Sequence, residues 1–238
     1  MYRLLGDAPH LDWILQRLQS SGLLAERCAP AAGWPLADAC GVQCDEGWLD
    51  MAQDGWDALD QRVAALSGMA VVEVSGWWLP QGGAQGFMLL TGGPLPLPAQ
   101  ARALLDACAP AQNAWLHCGP LGSARFTRYV MDALLSGWRT VSPEQAAPSA
   151  LQWESRLQAQ WELLDKLRQL AQAYLARQHL AAPDPASLLA ALREPATRDG
   201  HFAAQLAGLV VLMAQESAQA KPLLEQLLAH WPAQTGAQ

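Results

Sequence analysis

Apolar residues first gather in a short run, Tyr2 to Leu5, which Gly6-Asp7 and then Pro9 bring to an end. Leu11, Ile14, Leu15 and Leu18 recur at helical spacing, and Gly22 stops that helix. Pro9 suits the first turn, where its missing N–H is not needed. Leu23 to Glu26 has the character of a second strand. Residues 28–47 carry Pro30, Gly33, Pro35, Gly41 and Gly47, and read as loop with one helical turn. Asp57 to Leu66 reads as helix. The apolar, β-branched run Met69 to Val74 predicts a strand, with Gly86 to Leu90 as its hairpin partner, closed by Gly92-Gly93-Pro94. Pro98 to Ala107 is a further helix.

From Gly122 onward the pattern is almost wholly helical. Ser123 to Trp138 forms one helix. Ser149 followed by Gln152 has the form of a capping box. It opens a long helix with Leu157, Trp161, Leu164, Leu167, Leu170, Tyr174 and Leu175 along one side. Asp184-Pro185 caps and starts a shorter helix that ends before Pro195. His201 to Gln215 and Lys221 to Leu228 read as the last two helices, and the tail WPAQTGAQ should fray. The fold class expected is therefore α/β plus all-α. A shortened Rossmann-like domain, 1–118, precedes an all-helical domain, 119–238.

Composition narrows the function classes. The chain has 238 residues, 51% of them hydrophobic and 16% charged, which fits a folded globular protein. A net charge of -7 argues against a general nucleic-acid binder. No run reaches the ~18 apolar residues of a membrane span. Asp7, Asp12 and Arg17 interrupt the first twenty residues, so these do not read as a signal peptide, and the expected compartment is cytoplasmic. Five cysteines, Cys28, Cys40, Cys44, Cys108 and Cys118, point to free thiols. Cys40 and Cys44 have no matching Cys/His pair at zinc-finger spacing, and no metal is expected. Eleven tryptophans either fill the core or mark an interface.

Three segments carry a resemblance. His117 to Gly137 reads HCGPLGSARFTRYVMDALLSG, Val71 to Gly93 reads VVEVSGWWLPQGGAQGFMLLTGG, and Asp50 to Asp57 reads DMAQDGWD. In that order and without gaps inside the two long blocks, they resemble motifs of the 6-phosphogluconate dehydrogenase family. The family patterns are H-x-G-P-x-G-x-G-H-F-x-K-M-x-H-N-x-I-E-Y-G, F-V-D-V-G-T-S-G-G-x-x-G-x-x-x-G-Y-x-L-M-x-G-G and D-G-G-N-S-x-Y. The N-terminal run YRLLGDAPHLDWILQRL is similar to an eroded first strand and helix of a dinucleotide-binding domain. The resemblance covers roughly the first 140 residues. A complete domain of that type needs several βα units before the D-G-G-N-S turn. This chain leaves about twenty residues there, while a βαβ unit takes ~30, so at least one unit is missing.

The resemblance implies a frame more than a chemistry. Family members oxidise a phosphorylated sugar acid with NADP and decarboxylate the product. Their general-base Lys falls at Arg128, and a guanidinium cannot accept a proton near neutrality. Their general-acid Glu falls at Leu135, and their His-Asn pair at Met131-Asp132. The substrate-binding Ser-Gly-Gly turn aligns with Trp77, Trp78 and Leu79, and the Asn of the D-G-G-N-S turn with Gln53. The cofactor fingerprint G-x-G-x-x-G falls on Gly6, Ala8 and Leu11, and Leu11 opposes the helix–strand packing that the last glycine permits. Arg27 sits where NADP enzymes often hold the 2′-phosphate. Each has a bland reading as well: Arg128 as an ion-pair residue, with Asp132 one turn on, and His117 as a turn residue.

The expectation is thus a degenerate relative, catalytically inactive, that acts by binding a protein partner or as a regulator, with no cofactor and as a homodimer. The alternatives are an NADP-dependent oxidoreductase with a rebuilt site, for which Asp132 is the only carboxylate on the key helix, and a small-molecule sensor using the old cleft. Neither a nucleic acid nor a membrane is an expected partner.

Overall fold

The computed structural model describes residues 1–30, 34–36, 38–139, 150–181, 184–193 and 201–229. It divides into two compact units, Met1–Arg128 with Ala196–Ala203, and Tyr129–Pro195 with Ala204–Gln238. The first is α/β and the second all-helical, as the hydrophobic pattern predicts.

The first unit opens with a Rossmann-like crossover. β1 (Tyr2–Leu5) leads through α1 (His10–Ser20) to β2 (Ala25–Cys28), which pairs parallel to β1. α1 forms because Leu11, Ile14 and Leu18 share one buried face. It ends at Gly22, where the Leu23 N–H reaches back to the Leu18 carbonyl and Gly22 to Gln19. Then follow β3 (Gly41–Cys44), β4 (Gly47–Asp50), α2 (Trp56–Ala65), β5 (Ala70–Gly76), the short α3 (Gly82–Gln85), β6 (Leu89–Gly92), α4 (Ala99–Cys108), β7 (Trp115–Gly119) and the start of α5 (Ser123–Arg139). The seven strands form one mixed sheet in the order β2-β1-β3-β4-β5-β6-β7.

Two expectations are corrected here. Residues 28–47 are not all loop, for they contain β3 and lead into β4 through the turn Asp45-Glu46. A four-residue strand that opens on a glycine carries too little alternation to be seen in sequence. This β3–β4 hairpin occupies the stretch where complete βα units were missing. β6 does pair antiparallel to β5, with Gly76 opposite Leu89, so the predicted hairpin partner lies slightly later in the chain.

Alternation across the sheet divides the core. Leu4, Leu49, Val72 and Val74 face Leu11, Ile14, Leu18, Leu104 and Leu105 of α1 and α4. Leu5, Trp48 and Val71 face the other way, with Leu36, Ala39 and Leu66. Arg17 fastens α1 to the neighbouring chain by donating to the carbonyls of Ala84, Ala107 and Ala109 at 3.0–3.1 Å.

In the second unit are the rest of α5, α6 (Ala150–Arg177), α7 (Pro185–Arg193) and most of α8 (Phe202–Ala229). Leu167, Ala171, Tyr174 and Leu175 of α6 are buried, while Leu157, Trp161, Leu164 and Leu170 are half-buried. Asp184 caps α7 by accepting from the Ala186 and Ser187 amides at 3.1 and 3.0 Å. The two predicted last helices are one, running through Pro222. The residues between them are mostly Ala, Gln and Glu, which favour helix and supply no stop. Ser149, the Trp153 side chain and the tail lie outside the described residues.

Candidate functional site

In an open α/β sheet the ligand edge is the C-terminal end of the strands, beside the first turn of the helix after β1. β3 changes that edge. It runs antiparallel to β1, with Leu5 opposite Gly41. The chain therefore reaches β3 by crossing the C-terminal end of β1, through Ala39 and Cys40. Gly6 has φ +113°, and a Cβ on it would run into the Ala39 carbonyl oxygen. The Cys40 carbonyl accepts the Met51 N–H at 2.9 Å, which ties this segment to the end of β4.

The first turn of α1 is equally occupied. Pro9 stands at its N-cap and no side chain caps it. Ala8 is half-buried and Leu11 lies fully inside the core. His10 is buried and stacks on Trp78, with ring centroids 4.7 Å apart and planes at 9°. Phe87 meets Trp78 edge-on at 5.2 Å. The Cys40 Sγ lies 3.6 Å from His10 Nε2. Burial, and then the charge of Arg27, push His10 down to about 4. Burial, and then Asp50, push the Cys40 thiol up to about 11. Both groups are neutral near pH 7, unlike the thiolate–imidazolium pair of a cysteine nucleophile. Arg27 donates to the Gly6 carbonyl and pairs with Asp12 at 3.3 Å.

The other positions that the resemblance marks fall apart into separate contacts. Trp77 is half-buried, and the Arg128 guanidinium lies 4.6 Å above its ring while donating to the Gly76 carbonyl. Leu79 and Gln53 are exposed. Asp132 and Leu135 follow on α5 in the second unit, Asp132 half-buried and Leu135 exposed. The structure brings together Gly6 with Arg27, Trp78 with the first turn of α1, and Trp77 with Arg128.

Sequence reasoning missed the main polar constellation of the first unit. Asp50 and Glu73 are register partners in the parallel pair β4 and β5, and both are fully buried. Alternation places them on the Trp48 and Val71 side of the sheet. Two carboxylates side by side there would repel. Arg125, from the first turn of α5, bridges them, donating to Asp50 Oδ1 at 2.7 Å and to Glu73 Oε1 at 3.0 Å. It also holds the carbonyls of Ala52 and Asp54. Arg62, from α2, adds paired contacts to Asp50 and Asp54.

Glu73 also accepts the backbone amides of Gly122, Ala124 and Arg125 at 2.8–3.2 Å. The N-terminus of α5 is a ready anion site, and the chain fills it with its own carboxylate. Burial alone would lower the Arg125 pKa, but Glu73 and Asp50 hold it above its ordinary value. The signal in sequence was a lone Glu inside VVEVSG, an acid within a strand otherwise fit for burial on both faces.

Among the described residues no group of three or more His, Cys, Asp or Glu is placed to hold a metal. All five cysteines are unpaired with one another. No described helix is long and apolar enough to cross a membrane.

No protein-family model and no curated protein matches the chain. Solved structures of similar arrangement include a 3-hydroxyisobutyrate dehydrogenase of Mycobacterium tuberculosis with L-serine, at TM-score 0.48 and 12% identity, covering 97% of this chain and 94% of that one. An imine reductase variant of Myxococcus stipitatus in complex with NAD+ is similar at TM-score 0.44 and 15% identity, covering 92% and 93%. A Streptomyces aurantiacus imine reductase gives TM-score 0.44 and 14% identity, covering 93% and 94%. Likeness at this level assigns no activity, cofactor or substrate to this chain.

Proposed function

We propose that the chain acts by binding, as an interaction or regulatory protein on a dinucleotide-fold scaffold, and has given up hydride transfer. One observation carries the reading. The reversed direction of β3 brings Ala39 and Cys40 across the end of β1, against Gly6, in the strand-to-helix turn beside which a dinucleotide fold seats its pyrophosphate. The stacked His10 and Trp78 beside it agree with this, as do Pro9 at the helix start and the family's proton-transfer positions at Arg128 and Leu135. Losing a general acid and a general base removes ~10²–10⁴-fold each.

Calorimetry with NADP and NAD tests the reading, together with turnover of 6-phosphogluconate. No binding at low micromolar dissociation constants and no enzyme-dependent NADPH are expected. Tight binding of either nucleotide would overturn the proposal. It would favour the second reading, an NAD(P)-dependent oxidoreductase with a rebuilt site, the activity class that the names of the structural neighbours suggest. The binding form proposed is a homodimer through the helical unit.

A further inference from the structure

Three segments of the first unit meet at the start of α1. His10, in the first turn, is buried, and its ring lies flat against the Trp78 indole, with centroids 4.7 Å apart and planes at 9°. Trp78 comes from the turn after β5 and is met edge-on by Phe87. At the edge of the imidazole, Nε2 lies 3.6 Å from Cys40 Sγ, in the segment that crosses the end of β1. That segment is tied to the end of β4 by the Met51 N–H, which donates to the Cys40 carbonyl at 2.9 Å. The Met51 backbone also hydrogen-bonds the His10 ring. A neutral imidazole fits these neighbours, since one nitrogen donates to the Met51 carbonyl and the other accepts the Cys40 S–H.

We propose that His10 is an acid-opened fastening: its neutral ring holds the first turn of α1 against Cys40 and Trp78, and protonating it releases them. A second proton on the ring displaces the thiol donor and leaves a cation with little water. Among the described residues, the charged groups on the surrounding elements have other partners or face solvent. Arg27 of β2 donates to the Gly6 carbonyl and brings like charge, and Asp12 of α1 is paired with it at 3.3 Å. Asp7, in the turn before α1, and Asp38, just before the crossing segment, are exposed. The Cys40 thiol is neutral. Asp50 of β4 is held by Arg62 and Arg125. Trp78 and Phe87 bring no charge, and Arg128 lies over Trp77.

Burial, and then Arg27, push His10 down to about 4, with the Met51 carbonyl opposing them. A histidine folded in its neutral form contributes stability fully above the unfolded-state pKa near 6.5, and loses it as pH falls from there toward the folded value. The indole face attracts a cation and returns part of that loss. The fastening is closed at neutral pH and loosens on acidification.

Hydrogen–deuterium exchange of the protein alone reads the fastening, so its outcome is separate from any test of nucleotide binding. Peptides spanning 7–14 and 38–52 are followed at pH 7.5 and 5.0, each corrected for the unfolded-peptide rate. Wild-type protection should fall by about ten- to thirtyfold at the lower pH, while circular dichroism shows unchanged helix content. His10→Phe keeps an aromatic ring against Trp78 and cannot titrate, so its protection should change by less than about threefold. The His10 Cε1–H resonance, identified by its absence from the variant, should titrate below 6.5 in wild type, and Arg27→Gln should raise its midpoint. If His10→Phe does not fold, His10→Gln serves for both measurements. Equal wild-type protection at both pH values would overturn the fastening. So would an undiminished pH dependence in the His10 variant, a His10 midpoint at or above 6.5, or loss of helix content at pH 5.0.

Discussion

Replacing Arg125 by Met keeps the length and apolar contacts of the side chain and removes only its guanidinium. Five hydrogen bonds vanish, to Asp50, Glu73 and Asp54 carboxylates and to the carbonyls of Ala52 and Asp54. The cluster of two arginines and three carboxylates goes from one excess negative charge to two. Asp50 keeps Arg62, at 2.6 Å, and Glu73 keeps three backbone amides. Neither loss is solvated, since both carboxylates are fully buried. Removing one partner of such a group costs about 3–5 kcal/mol. At a urea dependence of about 2 kcal/mol per molar, this moves the unfolding midpoint down by roughly 1.5–2.5 M. Intrinsic tryptophan fluorescence, to which the fully buried Trp48 on the same face contributes, reports that transition. Adding Glu73→Gln to Arg125→Met should recover part of the loss, because a neutral amide removes the uncompensated charge while its oxygen still accepts from α5. A loss below about 1 kcal/mol would refute the argument. So would a double variant no better than the single one. Acid should weaken the cluster too. Burial raises the Asp54 pKa, but Arg62 and Arg125 outweigh it and hold the group below its ordinary value. Its contribution is present above the unfolded pKa of ~3.9 and is lost as pH falls through the lower folded value.

Three further outcomes follow from the same structure. Trp78→Ala should cost about 3–5 kcal/mol in urea unfolding, as truncated core tryptophans do, and calorimetry should still find no NADP binding, since Ala39 remains against Gly6. Arg17→Ala leaves three carbonyls without their charged donor and should cost about 2–3 kcal/mol, read as a lower thermal midpoint; an unchanged midpoint would mean that water replaces the donor freely. Light scattering at micromolar concentration should give a dimer mass, and Trp161→Glu on α6 should shift it toward monomer; a wild-type monomer mass would sink the proposed assembly.

The elements with long periodic patterns were legible. α1, α2, α4, α5 and α6 each repeat apolar residues over nearly three turns or more, and β5 carries three valines that suit burial. What escaped was short or non-local. β3 has four residues, one of them Gly and one Gln, and its identity as a strand comes from pairing with β1 and β4 rather than from its own composition. β7 escaped for a similar reason. Trp115 and His117 do not alternate clearly with their neighbours, and the strand exists because β6 lies alongside. The stretch between Gln215 and Lys221 reads as a break between two helices, yet its Ala and Gln residues carry α8 through it.

The candidate site shows the same division. Sequence marked Ala8, Leu11, Trp77, Trp78 and Arg128 as positions where small or basic groups of a related chemistry were replaced, but it could not show what fills the space. That depends on strand direction. A parallel strand beside β1 would have approached from the far edge of the sheet and left the end of β1 open, whereas an antiparallel one must cross it. Four residues of reversed strand thus bring the Ala39 carbonyl against Gly6 at the turn after β1, a contact that no substitution in the fingerprint announces. On the proposed reading, restoring glycines at Ala8 and Leu11 should not by itself bring NADP binding, because Ala39 stays in contact with Gly6. The charge pattern obeys the same logic. Asp50 and Glu73 look like isolated acids in sequence, and only their pairing across β4 and β5 makes Arg125 necessary. The first turn of α5 is then fixed by the sheet beneath it, and its amides are filled from within the chain.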